Sequence, residues 1–312
     1  MFFYKKIYHC GIFSQSIRHI VVVGVYFLNN IVKGIILMLI SSIGFSIMTL
    51  FVKLAGDLPS IQKTFFRNFV SAIIAFIFVM YNKESLFGKK ENQLVLLGRS
   101  IFGTIGIIFL FYAIDHLVMS DADMLNKLSP FLVIIFSAIF LKERVLPFQV
   151  VTIVFAFIGM IFIVKPSFSI DIVPYGVGVL SAIFAAAAYT LLRVLGNREK
   201  FYTVVFYFSF FSTVVLLPFL IFYYEPMTMK QLTYLLLAGF FATIGQFGIT
   251  LAYKFAPAKD ISIFTYSTVI FTTILSFTVF GQGPDIYSLI GYVIILSSMV
   301  YMFLKGRKET TA

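Results

Sequence analysis

Between residues 119 and 141 the chain reads MSDADMLNKLSPFLVIIFSAIFL, which sets Asp121, Asp123, Asn126 and Lys127 at the head of an otherwise lipid-soluble stretch. An ionised side chain in the middle of a membrane helix costs about 3 kcal/mol on insertion scales, so one that persists faces a partner or a polar cavity. Asp123 and Lys127 are four residues apart, on one face of a helix and within reach of an ion pair. Two readings stay open: the pair meets a ligand, or it neutralises itself and merely lets the helix insert. Asp121 has a different explanation. Ser120 followed by Asp123 resembles a capping box, and an acid in a first turn complements the helix dipole, so Asp121 reads as a helix-start residue.

Few architectures can hold such residues. The 312-residue chain is 60% hydrophobic and 12% charged, with mean hydropathy +1.00, and no water-soluble globule hides so much apolar side chain. The fold class is all-α integral membrane. A spanning helix needs about 20 mostly apolar residues to cross a hydrocarbon core of roughly 30 Å. Ten windows qualify: 34–55, 61–81, 94–115, 120–141, 147–165, 174–195, 202–224, 231–253, 260–281 and 286–304. Breaks such as Gly56-Asp57-Leu58-Pro59, Lys165-Pro166, Glu225-Pro226 and Gly283-Pro284 separate them. Residues 1–32 read as a cytoplasmic extension holding the lone Cys10, which excludes a disulfide framework. Residues 306–312 read as a cytoplasmic tail.

Of the 24 Lys and Arg, 17 fall at alternate breaks on one side and 4 (Lys53, Lys63, Lys165, Lys230) on the other, with Arg67, Arg99 and Lys127 inside helices. Bias of this size predicts both termini in the cytoplasm, with the chain multi-pass in the plasma membrane. The net charge of +11 then serves topology and contact with membrane lipids; no nucleic-acid partner is expected.

The chain also contains itself twice. Sliding residues 94–144 by 139 positions without a gap puts Leu96 on Leu235, Thr104-Ile105-Gly106 on Thr243-Ile244-Gly245, Asp121 on Asp260 and Ser137 on Ser276. Each half holds five spans, an odd number, so the halves enter the bilayer upside down to one another. Residues 33–166 and 172–305 are thus expected to form two inverted five-helix repeats around a central cavity, with a site near the midplane. Positions kept in both halves (Gly106 and Gly245, Asp121 and Asp260) suit packing and helix starts. Positions that differ in polarity are where one solute would be read: Asp123 against Ser262, Asn126 against Thr265, Lys127 against Tyr266, and Ile107 against Gln246.

The Arg67-bearing second span, the GRSIFGTIGIIFLFYAI third span, the LSPFLVIIFSAIFLKER fourth span and the AYKFAPAKDISIF entry to the ninth together resemble the drug/metabolite transporter superfamily in its EamA-type branch. The resemblance covers residues 33–305. It implies a ten-helix carrier with a central cavity that moves small metabolites, often amino acids or related compounds. The second half departs from the pattern where Gln282 stands in place of Glu143.

The expected function is a secondary transporter working by alternating access; the alternative is a lipid-handling membrane protein, a flippase or an enzyme acting on lipid-linked substrates. No glycine-rich phosphate loop followed by Lys-Ser/Thr is present, so ATP is not expected to drive it directly, and a coupling proton or cation is. Asp123 is the candidate proton carrier. The solute-binding candidates are Asp123, Asn126, Lys127, Gln246, Tyr266, Tyr189 and Arg67. Arg67 serves a carboxylate-bearing solute at the outer mouth or snorkels to the interface; Arg99 snorkels. Tyr189 and Arg193, with Thr250 and Tyr253, line the inner half or belong to packing and the aromatic belt. Gly98, Gly103, Gly106, Gly239, Gly245 and Gly248 read as close helix contacts, and Pro130 and Pro218 as kinks. His9, His19 and His116 make no intramembrane metal set, so no metal, cofactor or catalytic residue is expected, and the assembly is a monomer or a homodimer.

Overall fold

The computed structural model describes residues 30–142, 144–164, 172–195, 198–256 and 261–311. Cys10, His9, His19, Glu143 and Asp260 lie outside these, as does the side chain of Tyr253. Ten helices are long and apolar enough to span a bilayer: α1 Asn30–Leu54, α2 Ser60–Tyr81, α3 Lys90–His116, α4 Met119–Leu141, α5 Pro147–Val164, α6 Val173–Leu195, α7 Phe201–Phe222, α8 Met229–Ala252, α9 Ile263–Phe280 and α10 Ile286–Gly306.

Local chemistry explains their ends. α1 stops at Gly56, whose φ of 70° is open to glycine and strained for most other residues. α8 starts with a capping box in which Gln231 N donates to Thr228 Oγ1 and Thr228 N to Gln231 Oε1. α4 is two pieces, Met119–Asn126 and Ser129–Leu141. Pro130 brings no N–H to the ladder and its ring would strike the Asn126 carbonyl, so the helix ends there and restarts. α9 breaks at the equivalent point, a 3-10 turn Ser262–Tyr266 giving way to a helix at Ser267, although Val269 stands where the first half has Pro130. α7 runs through Pro218 without a break.

The packing has the symmetry that two inverted repeats require. α1 packs along α8 as α6 packs along α3, and α1 meets α9 as α6 meets α4; α2 lies on its counterpart α7, and α5 on α10. Small residues set these crossings, since helices in lipid associate through close packing rather than through a hydrophobic drive. A Cβ on Gly245 would sit 2.7 Å from the Phe45 ring, and one on Gly106 would sit 3.2 Å from Ala185 N. Gly159 and Gly291 let α5 and α10 touch backbone to backbone, each within 2.9 Å of the other's carbonyl once a Cβ is added. The main buried cluster joins Phe111, Met124, Phe131, Ala182, Val269 and Tyr292 from five helices.

Both ends of the bundle are tied across the two halves. At the cation-poor end Gln62 Nε2 donates to Glu225 O and Glu225 N to Gln62 Oε1, both at 3.0 Å, while Gln231 Nε2 donates to Ala55 O at 3.1 Å. At the cation-rich end the Glu199 carboxylate accepts from Lys89 N at 2.8 Å and from Asn92 Nδ2 at 2.6 Å. The repeat operation carries the connection between α1 and α2 onto that between α6 and α7, and the one after α2 onto the one after α7. The two clasps are therefore equivalents of each other.

Candidate functional site

Two polar centres lie inside the bundle. The first is the break in α4. Lys127 Nζ lies 4.0 Å from Asp123 Oδ1, so the pair expected from the i,i+4 spacing is present, with side chains 15% and 10% exposed. Asp123 Oδ2 is buried and has no hydrogen-bond partner. Asn126 Nδ2 donates to Ser181 Oγ of α6 at 3.0 Å. Tyr266 donates its hydroxyl to the Lys127 carbonyl at 2.9 Å. Tyr266 is the residue that the 139-position repeat sets on Lys127, and a residue in contact with its own counterpart must lie beside the pseudo-twofold axis. That axis runs in the membrane plane between inverted repeats. The break in α4 is thereby near mid-depth, and the carbonyl freed by the missing helical bond finds its donor in the opposite half.

The second centre was not anticipated in this form. Arg67 of α2 and Arg99 of α3 converge on one ring, Phe208 of α7, with guanidinium carbons 5.8 and 4.1 Å from its centroid. Arg99 is 5% exposed and Arg67 2%, so neither snorkels. Arg67 donates to Asn68 Oδ1, and Asn68 Nδ2 donates to Ser212 Oγ at 2.7 Å, a short chain into α7. Nε of both arginines and Nη1 of Arg99 are buried without a hydrogen-bond partner. Among the described residues neither guanidinium has a carboxylate within 4.0 Å. Tyr189 of α6 is in electrostatic range of both.

Magnitudes decide what this means. A buried unpaired ion costs several kcal/mol even after relaxation, and guanidinium cannot shed its charge. A desolvated cation–π contact returns about 2 kcal/mol, and only Arg99 lies close over the ring. The centre is short of negative charge.

Gly103, four residues past Arg99, makes room for it: a Cβ there would sit 2.5 Å from Arg99 Nη1. Its role is to seat a guanidinium as well as to let a helix approach. A signal for Arg99 was available. The repeat sets Arg99 on Ala238, a larger polarity difference than any of the four pairs singled out above.

The two centres are spaced along α6. Ser181, the partner of Asn126, and Tyr189 are eight residues apart, about 12 Å at 1.5 Å per residue. Among the remaining candidates, Gln246 is half-buried on α8 and makes no side-chain hydrogen bond among the described residues, although its carbonyl accepts from Thr250 Oγ1 at 2.7 Å. Arg193 Nη1 donates to Ser137 Oγ at 3.3 Å.

Two assignments are corrected. Asp121 lies in the first turn of α4, as expected, but makes no cap. The N-cap is Val118, with no side-chain cap, and Asp121 is buried, accepting from Tyr292 at 2.6 Å and Ser288 at 3.2 Å, which ties α4 to α10. Lys53 and Lys63 are not loop cations. Lys63 is wholly buried in α2 and paired with Asp115 of α3 at 2.5 Å, and Lys53 donates to Leu117 O at 2.6 Å. A lysine one turn into a span reads as an interface anchor until its acid, 52 residues away, is brought beside it.

A ten-helix membrane protein with internal pseudo-twofold packing and polar groups at its centre is built as a carrier of small molecules. The EamA-like transporter family matches residues 32–165 and again residues 174–304, and the chain belongs to it. It is 31% identical to the pseudopaline exporter CntI of Pseudomonas aeruginosa over 86% of this chain and 95% of that one. It is 25% identical to human solute carrier family 35 member G1, over 86% and 78% respectively. A crystal structure that is 18% identical shares the fold, with TM-score 0.60 over 86% of this chain and 98% of that one. The protein is a multi-pass membrane transporter, not an enzyme.

Proposed function

We propose that the protein is a secondary carrier that moves a small metabolite across the plasma membrane by alternating access, with both termini cytoplasmic. The observation that carries this reading is the pair of equivalent clasps, Gln62 with Glu225 at one end and Asn92 with Glu199 at the other. A repeat inverted about the midplane gives each gate a mirror at the opposite face, as alternation needs. Its likeness to an exporter, 31% identical, favours outward movement. The repeats 33–166 and 172–305 enclose a central cavity that opens to either face in turn, and Asp123, Asn126, Lys127, Gln246, Tyr266, Tyr189 and Arg67 are the residues that read the solute. Asp123, unsatisfied at Oδ2, is the candidate for a coupling proton.

Counterflow in vesicles tests the reading. Labelled solute is expected to exchange across the bilayer without ATP, and cysteine pairs replacing Gln62 with Glu225, or Asn92 with Glu199, are expected to stop exchange when cross-linked. Exchange that continues with both clasps cross-linked in one molecule overturns alternation. A rate that stays flat from pH 5 to 8 under an imposed proton gradient removes Asp123 from coupling.

A further inference from the structure

We infer that Arg67 and Arg99 hold an oxyanion of the transported solute, a carboxylate or a phosphate; this rests on the carrier reading above and names the class of its substrate. Both guanidiniums are more than nine-tenths buried, and three of their nitrogens have no acceptor. Among the described residues no carboxylate stands within ion-pair distance. A planar fork of N–H donors is the natural complement of two oxyanion oxygens. Packing alone does not ask for it, because the equivalent place in the second half is filled by Ala238. Gly103 leaves the space in which the Arg99 head sits.

Tyr189 is 37% exposed while remaining in electrostatic range of both arginines. One turn further along α6, Arg193 lines a recess with Ile134, Arg144, Val145 and Gln149 at the cation-rich end. Two arginines in one recess raise the local concentration of anions there. An anionic lipid headgroup offers the same chemistry. The arginines lie too deep for one to reach without leaving the interface: Arg67 is seven residues into α2, and Arg99 six residues past Gln93, where the α-helical part of α3 begins.

The test uses the full-length protein purified in uncharged detergent. Unfolding temperature is followed with succinate, citrate and inorganic phosphate at matched ionic strength, with glucose and choline as controls, and with phosphatidylglycerol as a separate arm. At least one soluble oxyanion is expected to raise the unfolding temperature saturably, and Arg99→Gln and Arg67→Gln to weaken that binding roughly 10- to 100-fold. The same variants, without anion, are expected to unfold no lower than the parent, because each removes an uncompensated buried charge; a purely structural guanidinium predicts the opposite. Arg99→Lys is expected to recover part of the binding. A shift that survives Arg99→Gln, a shift with none of the oxyanions, or a shift with phosphatidylglycerol only overturns the assignment. Counterflow then separates the two levels: exchange of a neutral or cationic solute but of no anion removes the oxyanion and leaves the carrier, whereas no exchange of any solute removes the carrier and leaves the oxyanion site to the binding data.

Discussion

At the break in α4, Lys127 has Asp123 four residues away and 4.0 Å distant; at Phe208, two guanidiniums have a ring and each other. Both centres place fixed charge in a membrane protein, and both are largely buried. The difference lies in what completes them. The first is neutral as folded and stands beside the pseudo-twofold axis, where each half contributes a partner: Lys127 its carbonyl and Tyr266 its hydroxyl. The second belongs to one half's sequence, carries two positive charges and leaves donors unused. The first centre keeps one unsatisfied acceptor, Asp123 Oδ2, and the second three unsatisfied donors, so the one is suited to a proton and the other to an oxyanion.

The largest effect expected from breaking this comparison is at Lys127. Lys127→Ala leaves Asp123 buried and alone and is expected to cost about 3 kcal/mol, read as a fall in unfolding temperature, with Asp123→Asn in the same chain restoring most of it. Arg99→Gln is expected to cost nothing in the same measurement. Equal losses at the two sites would erase the distinction. If Lys127→Ala and Gln246→Ala carriers move their solute with unchanged affinity and rate, those two positions do not read it.

Gly103→Ala comes next. Its methyl group would drive the Arg99 head off the ring, for about 2 kcal/mol by the usual penalty of overpacking. The cost is expected to shrink in an Arg99→Gln background, where only the Phe208 ring, 3.0 Å from the new methyl group, still crowds it, so a double-mutant cycle should show coupling. Tyr266→Phe removes one hydrogen bond and should lower stability by about 1 kcal/mol. Its effect on Lys127 and Asp123 is expected to be larger than its effect on anion binding.

The smallest change compares the repeats directly. α4 and α9 end at equivalent left-handed residues, Lys142 with φ 54° and Gly281 with φ 66°. The left-handed region costs a side-chain-bearing residue about 1 kcal/mol, so Lys142→Gly is expected to stabilise by up to that amount and Gly281→Lys to destabilise similarly, both visible in thermal unfolding without a change in anion affinity.

The ten spans were legible because each is a one-dimensional quantity, about 20 apolar residues between breaks. The repeat was legible because residues such as Gly106 and Gly245 recur at a fixed interval. So was the Asp123–Lys127 pair, whose partners share a helix. Arg99 was misread because the energy of a charge depends on what lies around it, and its surroundings come from α2, α6 and α7. Asp121 was taken for a cap for the same reason: its partners Tyr292 and Ser288 lie 171 and 167 residues away. Proline gave a half answer. Pro130 ends a helix and Pro218 does not, and Val269 accompanies a break with no proline, so proline by itself does not decide where a helix is interrupted.

What the sequence determined by itself is the membrane class, the number of spans, the inverted repeat and the pairs confined to one helix, all of which follow from hydropathy, parity and spacing along a single axis. What only the tertiary structure decided is which charges are compensated. Arg67 and Arg99 sit 32 positions apart on different helices, and Coulomb energy and desolvation are set by distances through space, which sequence separation does not record.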